Sequence, residues 1–326
     1  MKIAVDAMGG DNGSQVIVSA IKQFLTDFPE VEIIVFGDKN ELGELSSLCQ
    51  IVDAPEVVPM DAGAFEVMRM KNSSMFTALK TMKDSAFDAL VSAGSTGGFL
   101  SAGTLILKWI EGVKRAAIVT SFPTRLKNKK LVVLDIGANN KNSPEELVQF
   151  AKMGRAYHQA LYNSDAPKTY LLSNGAEANK GSPAGQAAYK LLKESQFPDF
   201  CGNIEAREAL LGEADILVTD GYSGNVFLKS SEGVAKLMSS MVKDIFKKNL
   251  WTKLGYLHVA KGFKLMSETM DYKSTGGAML LGVNGVLVKA HGNSDAYGFK
   301  SALNVAKTMV ERQVVKKIKE LVESGE

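Results

Sequence analysis

Cysteine and histidine are scarce in this chain: two of the former and three of the latter among 326 residues. Cys49 and Cys201 lie far apart with no CxxC pair, which argues against a disulfide scaffold or a zinc module and makes a reducing cytosol the expected setting. An excess of one charge is lacking too. The 38 Lys+Arg and 36 Asp+Glu leave a formal +2, which argues against a dedicated nucleic-acid binder. No run approaches the ~18 apolar residues of a membrane span, and the opening Met1–Asp6 is not followed by the apolar stretch of a secretory signal. The common nucleotide fingerprints, GxxxxGK[ST] and GxGxxG, are missing. Gly221-Tyr222-Ser223-Gly224 is not a GxSxG elbow, so Ser223 has no claim as a hydrolase nucleophile. What remains, 45% hydrophobic and 23% charged, is an ordinary globular composition.

One local pattern recurs: a short apolar run, a glycine-rich polar turn, then a helical stretch. Ile3-Ala4-Val5, Ala89-Leu90-Val91, Leu131–Leu134, Tyr170-Leu171-Leu172, Ile216-Leu217-Val218 and Val286-Leu287-Val288 are each followed by such a turn. This alternation predicts an α/β fold with an open, mostly parallel, doubly wound sheet, and no Pro/Ser-rich linker divides residues 1–326 into separate units. Helix starts are predicted at Ser143-Pro144-Glu145-Glu146, a capping box, and at Ser182-Pro183. Residues 226–270 are out of character, helical throughout with no strand signal, and are read as a projecting segment with a break at Gly255.

In open parallel sheets ligands bind at the carboxyl ends of strands, and six polar turns gathered at one such edge point to a phosphate-bearing ligand. The turn Gly94-Ser95-Thr96-Gly97 is the best candidate anion nest, while the bland reading is that its glycines merely permit a tight turn. Lys180 follows a strand in a polar loop, where its charge suits a phosphate or an oxyanion; solvation is the usual fate of such a lysine. His291, after the last apolar run, is the histidine placed to exchange protons or bind phosphate; His158 and His258 read as packing or surface residues. Between 236 and 264 seven lysines face one acid, Asp244, and apolar residues recur at helical spacing. Such a helix, with Trp251 among its apolar residues and Lys247, Lys248, Lys253, Lys261 and Lys264 among its cations, suits an anionic membrane surface, an acidic partner, or a second copy of the chain.

The ordered set of turns resembles the bacterial phosphate acyltransferase (PlsX) family over essentially the whole chain. The resemblance rests on Ile3–Asp11, Lys71–Met75, Val91–Gly97, Leu134–Asn139, Gly202–Arg207, Val218–Gly221 with Gly224-Asn225, Gly276–Ala278, and Lys289–Asp295. It implies a homodimer with a fold similar to the isocitrate/isopropylmalate dehydrogenases and the phosphotransacetylases. It also implies conversion of acyl-[acyl carrier protein] (acyl-ACP) and inorganic phosphate to acyl-phosphate and free ACP, without a cofactor or a metal. The product would feed a membrane glycerol-3-phosphate acyltransferase in phospholipid synthesis, from a cytoplasmic protein peripherally attached to the membrane. Phosphate is already a nucleophile and a thiolate a fair leaving group, so no covalent intermediate is needed. On this reading Lys180 and Gly94–Gly97 bind phosphate with Asn225 and Asn139 as further donors, and His291 with Ser294 serves the oxyanion or the departing sulfur. Arg69 and Lys71, or the lysines from 247 to 264, receive the acidic carrier. A short-chain acyl-CoA transacylase and a non-catalytic membrane-surface scaffold are the rival readings; a metal-dependent dehydrogenase is more remote.

Overall fold

A computed structural model describes residues 1–84, 87–270 and 276–323, the side chains of 250 and 264–270 excepted. Its strands are β1 (Lys2–Asp6), β2 (Glu32–Gly37), β3 (Gln50–Asp53), β4 (Ala89–Ser92), β5 (Ala117–Pro123), β6 (Lys130–Leu134), β7 (Thr169–Ser173), β8 (Phe200–Glu205), β9 (Ile216–Val218), β10 (Ala278–Leu281) and β11 (Val286–Lys289). The helices are α1 (Ser14–Asp27), α2 (Ala64–Arg69), α3 (Ser74–Lys83), α4 (Thr96–Leu107), α5 (Pro144–Tyr162), α6 (Pro183–Glu194), α7 (Ala206–Ala209), α8 (Gly221–Lys247), α9 (Leu250–Met270), α10 (Ala296–Glu311) and α11 (Val314–Glu323). The strands form one open sheet in the order β3-β2-β1-β4-β11-β10-β5-β6-β9-β7-β8. All six apolar runs picked out in the sequence are strands of it.

Pairing is parallel except where β10 meets β11, β10 meets β5, and β5 meets β6. These three antiparallel contacts reverse the sheet's polarity. β1 to β4 and β11 run one way; β6 to β9 run the other. The sheet is mostly parallel as expected, but the expectation that all six turns share one edge of it is corrected: three belong to each half. Register brings them together nonetheless. One cross-strand row runs Val5–Val91–Val288–Met279–Val119–Leu134–Val218. Val5, Val91 and Val288 are the next-to-last residues of their strands, and Leu134 and Val218 the last of theirs. The carboxyl ends of two oppositely directed half-sheets thus meet at one level, along the seam that β10 and β5 make.

Alternation of side chains gives the sheet two apolar faces. Ile3, Val5 and Val91 pack with Ile17, Ile21 and Phe24 of α1, Phe150 of α5 and Phe299 of α10. Ala4 and Leu90 face the other way, toward Met75 and Leu79 of α3, Phe99 of α4 and Phe227 of α8. Polar side chains start several of the helices. The capping box at Ser143 is formed, with Glu146 N donating to Ser143 Oγ at 3.2 Å and Ser143 N to Glu146 Oε2 at 3.1 Å. Ser182, Asp220 and Asp295 cap α6, α8 and α10.

Over 226–270, read from the sequence as a projecting helical segment, helices α8 and α9 form a hairpin. The break falls at Lys248-Asn249, not at Gly255, which lies inside α9. Asn249 explains it: its side-chain oxygen accepts from Thr252 N at 2.9 Å while its own N–H donates to Thr252 Oγ1 at 3.1 Å, a reciprocal cap that starts a new helix. Phe246 then packs on Phe263 and Tyr256, ring centroids 4.9 and 5.3 Å away, and closes the hairpin.

Candidate active site

The carboxyl ends of β1, β4 and β11 place Asp6, Ser92 and Lys289 side by side in register, all buried. Asp6 accepts from the hydroxyls of Ser74 and Ser92, both at 2.6 Å. Burial pushes its carboxyl above the usual range, against the pull of those hydroxyls and of Lys289. Having donated to Asp6, Ser92 Oγ accepts from Gly94 N at 3.0 Å and so ties the next turn to β1. Lys289 Nζ donates to the carbonyls of Ala93, at 3.1 Å, and Ala290. Burial lowers this ammonium's pKa to about 8, with Asp6 and Asp11 opposing the shift.

In the other half Asp135, just beyond β6, is a buried clamp. Its Oδ1 accepts from the backbone of Ile118, Gly137 and Ala138 at 3.0, 3.2 and 2.9 Å; its Oδ2 accepts from the backbone and side chain of Asn139 at 2.9 and 2.8 Å. The start of α8 is pressed against this turn so closely that a Cβ at Gly221 or Gly224 would overlap the carbonyl of Asn139 or of Asp135. Here the glycines serve packing.

A cavity of about 990 Å³ opens where the two sets of strand ends meet. Asp11, Thr96, Lys289, His291 and Ser294 reach it from the first half, Gly137 and Asn225 from the second. Thr96 and Gly97 begin α4, so their N–H groups have no acceptor within the helix. His291 Nδ1 accepts from Asn293 N at 3.2 Å, and Asn12 Nδ2 donates to the carbonyl of Ser294 at 2.9 Å, which holds the His291–Ser294 turn against the turn after β1. The remaining wall is largely apolar, with Ile118 and Phe122 of β5, Ile136, Leu210 and Leu228.

Several expected site residues are occupied elsewhere. Gly94 is buried under Gly9, and its N–H is spent on Ser92. Ser95 caps α4, accepting from Gly98 N at 3.1 Å and donating to the Ala62 carbonyl at 2.7 Å. The Asn139 amide donates to Asp135 and, at 2.8 Å, to the Ala116 carbonyl. None of these three lines the cavity, and neither do Gly97, in the first turn of α4, and Lys180, exposed on the loop after β7. Arg69 and Lys71 are exposed at the end of α2 and just beyond it. Lys247, Lys248, Trp251, Lys253 and Lys261 are exposed on the hairpin, while the side chain of Lys264 lies outside the described residues. Lys289, which lines the cavity, was given no role by the sequence pattern; its only signal is a cation closing a wholly apolar strand. Buried His158 packs on Tyr162, ring centroids 5.0 Å apart. Burial pushes the Cys49 thiol up to about 11. Among the described residues no group of three or more His, Cys, Asp or Glu is placed to hold a metal, and no helix is long and apolar enough to cross a membrane.

The fold is similar to that of a solved phosphotransacetylase. A phosphotransacetylase from Streptococcus pyogenes superposes with a TM-score of 0.63, covering 97% of this chain and 94% of that one at 18% identity. Sequence carries the relation further. The model of the family described as "Fatty acid synthesis protein" matches residues 1–317. Phosphate acyltransferases of Clostridium perfringens and Staphylococcus aureus are 41% and 39% identical over 328 residues, covering 98% and 100% of this chain and 96% and 100% of the relatives. The chain belongs to this family, the PlsX phosphate acyltransferases, and is a transferase enzyme. The non-catalytic scaffold is thereby set aside.

Proposed function

We propose that the chain transfers the acyl group of an acyl-[acyl carrier protein] thioester to inorganic phosphate. The observation that carries this reading is the convergence of Thr96, Lys289, His291 and Ser294 from one half-sheet with Asn225 from the other on a single cavity. Phosphate rests on the Thr96 N–H at the start of α4 and on the Lys289 ammonium, which takes the cationic role that the sequence alone offered to Lys180. A phosphate oxygen attacks the thioester carbonyl carbon, forming the C–O bond, and negative charge builds on the carbonyl oxygen within reach of Asn225 and Ser294. The C–S bond then breaks, and the thiolate takes from His291 a proton that the attacking hydrogen phosphate replaces on the imidazole. The cavity spans both halves, so both reactants are held before reaction.

The hairpin supports the rest of the reading. Leu237, Met241, Ile245, Trp251 and Leu257 are exposed on it beside its lysines. In a homodimer the base of such a surface is covered by a second copy, while the tip meets anionic lipid and the acidic carrier, and the acyl-phosphate passes to a membrane glycerol-3-phosphate acyltransferase. The decisive measurement is thiol release from an acyl-ACP with and without phosphate, trapping the product with hydroxylamine. Release is expected to require phosphate and to yield acyl hydroxamate one for one, and raised salt is expected to weaken carrier binding. Phosphate-independent release, or free fatty acid as the product, overturns the proposal.

A further inference from the structure

We propose that the apolar arm of this cavity, between β5 and α8, holds the hydrocarbon chain of the acyl donor, and that Ala235 and Gly262 set the length it accepts; the inference rests on the transfer reaction just described. The cavity's 990 Å³ far exceeds the needs of the reacting groups, since a phosphate ion displaces roughly the volume of two or three waters. Residues 225, 228, 232 and 235 of α8 line the cavity at spacings of three, four and three, which is one helix face, and they stand across from Ile118, Thr120 and Phe122 of β5. From Asn225, at the reacting end, to Ala235 the helix rises about 15 Å, the reach of a long acyl chain and far beyond that of an acetyl group. The charged residues of α8 that line this arm, Lys229 and Glu232, pair with each other at 2.9 Å, while Arg125 and Lys127, just beyond β5, add two cations to the cavity wall.

The far end is marked by Gly262 of α9. Gly233, Gly255 and Gly262 all stand in the hairpin helices with nothing within 4 Å of an added Cβ, so no close approach of another chain segment calls for glycine. Of these three, Gly262 alone lines the cavity. Glycine is a poor helix former, and its consequence here is open space where a side chain would close the arm.

The test is the ratio of kcat/KM for palmitoyl and butyryl thioesters with phosphate. Gly262→Leu is expected to lower that ratio about tenfold and Ala235→Leu more, since lost chain contacts cost about tenfold or more per blocked group in an apolar pocket. Gly255→Leu, on the same helix but away from the cavity, is expected to leave it unmoved. An unchanged ratio in both cavity variants, or equal losses for both donors, overturns the assignment. A variant that shifts the chain from dimer to monomer with the ratio intact gives the arm to a second copy, which also overturns it. If the unaltered chain forms acyl-phosphate from neither donor, the reaction itself is refuted. Dodecyl phosphate binding then tests the arm alone: about tenfold weaker binding in Gly262→Leu sustains it, and unaltered binding refutes it.

Discussion

Asp6 and Asp135 occupy comparable places in the two half-sheets, Asp6 buried at the carboxyl end of β1 and Asp135 buried just beyond that of β6. Burial raises the pKa of both. Their partners differ. Asp135 is held by four backbone N–H groups and one amide, all from the turn it shapes and from β5. Asp6 is held mainly by two serine hydroxyls and lies close enough to Lys289 to oppose the lowering of that lysine's pKa. One carboxylate fixes a backbone; the other, with Asp11, favours the charged form of a neighbour that faces the cavity. Burial and an unusual pKa do not separate these roles, but the donors do.

Breaking the clamp is expected to have the largest effect. Asp135→Ala leaves four backbone N–H groups without an acceptor and costs at least about 3 kcal/mol, a large share of a typical domain's stability, read as a lower denaturation midpoint and a lower folded yield. Lys289→Met is expected to act on the chemistry instead, raising KM for phosphate about tenfold or more. The sign with pH sharpens the contrast. With a pKa lowered from 10.5 to about 8, Lys289 loses its charge as pH rises through 8, so KM for phosphate should climb above that point in the unaltered enzyme and stay flat in Lys289→Met. Stability runs the other way. Between about 8 and 10.5 the unfolded chain binds more protons at this residue than the folded one, so the contribution of Lys289 to stability rises with pH across that window. The smallest effect is expected for Asn139→Ala, about 1 kcal/mol of stability from two lost hydrogen bonds, with KM for phosphate moving less than about twofold. A large rise in KM there would return Asn139 to the phosphate site.

The local units of the fold were legible in the sequence because they are local: apolar triplets such as Ile216-Leu217-Val218, the cap at Ser143, the long helical pattern after 226. The reversal of polarity was not. A strand followed by a polar turn and a helix reads the same whichever way it enters the sheet, and here the direction is settled by distant pairings of Met279 with Val119 and of Val119 with Leu134. The same limit applies to the candidate site. Ser95 and Thr96 are adjacent hydroxyls in one turn, yet one caps its own helix and the other faces the cavity, a difference of backbone geometry that no spacing records. Lys289 carried a signal in its position after three apolar residues, whereas the Asn139 amide is consumed by donating to the carbonyl of Ala116, 23 positions away, and to Asp135.

Because the strand ends converge, the strand beginnings diverge. The connections entering β2 at 28–31 and β7 at 163–168 lie on opposite outer rims, each remote from the chemistry. A fluorophore pair placed on exposed Glu30 and Ala166 would therefore straddle the seam, and its transfer efficiency would follow any opening or closing of the molecule as it loads and unloads.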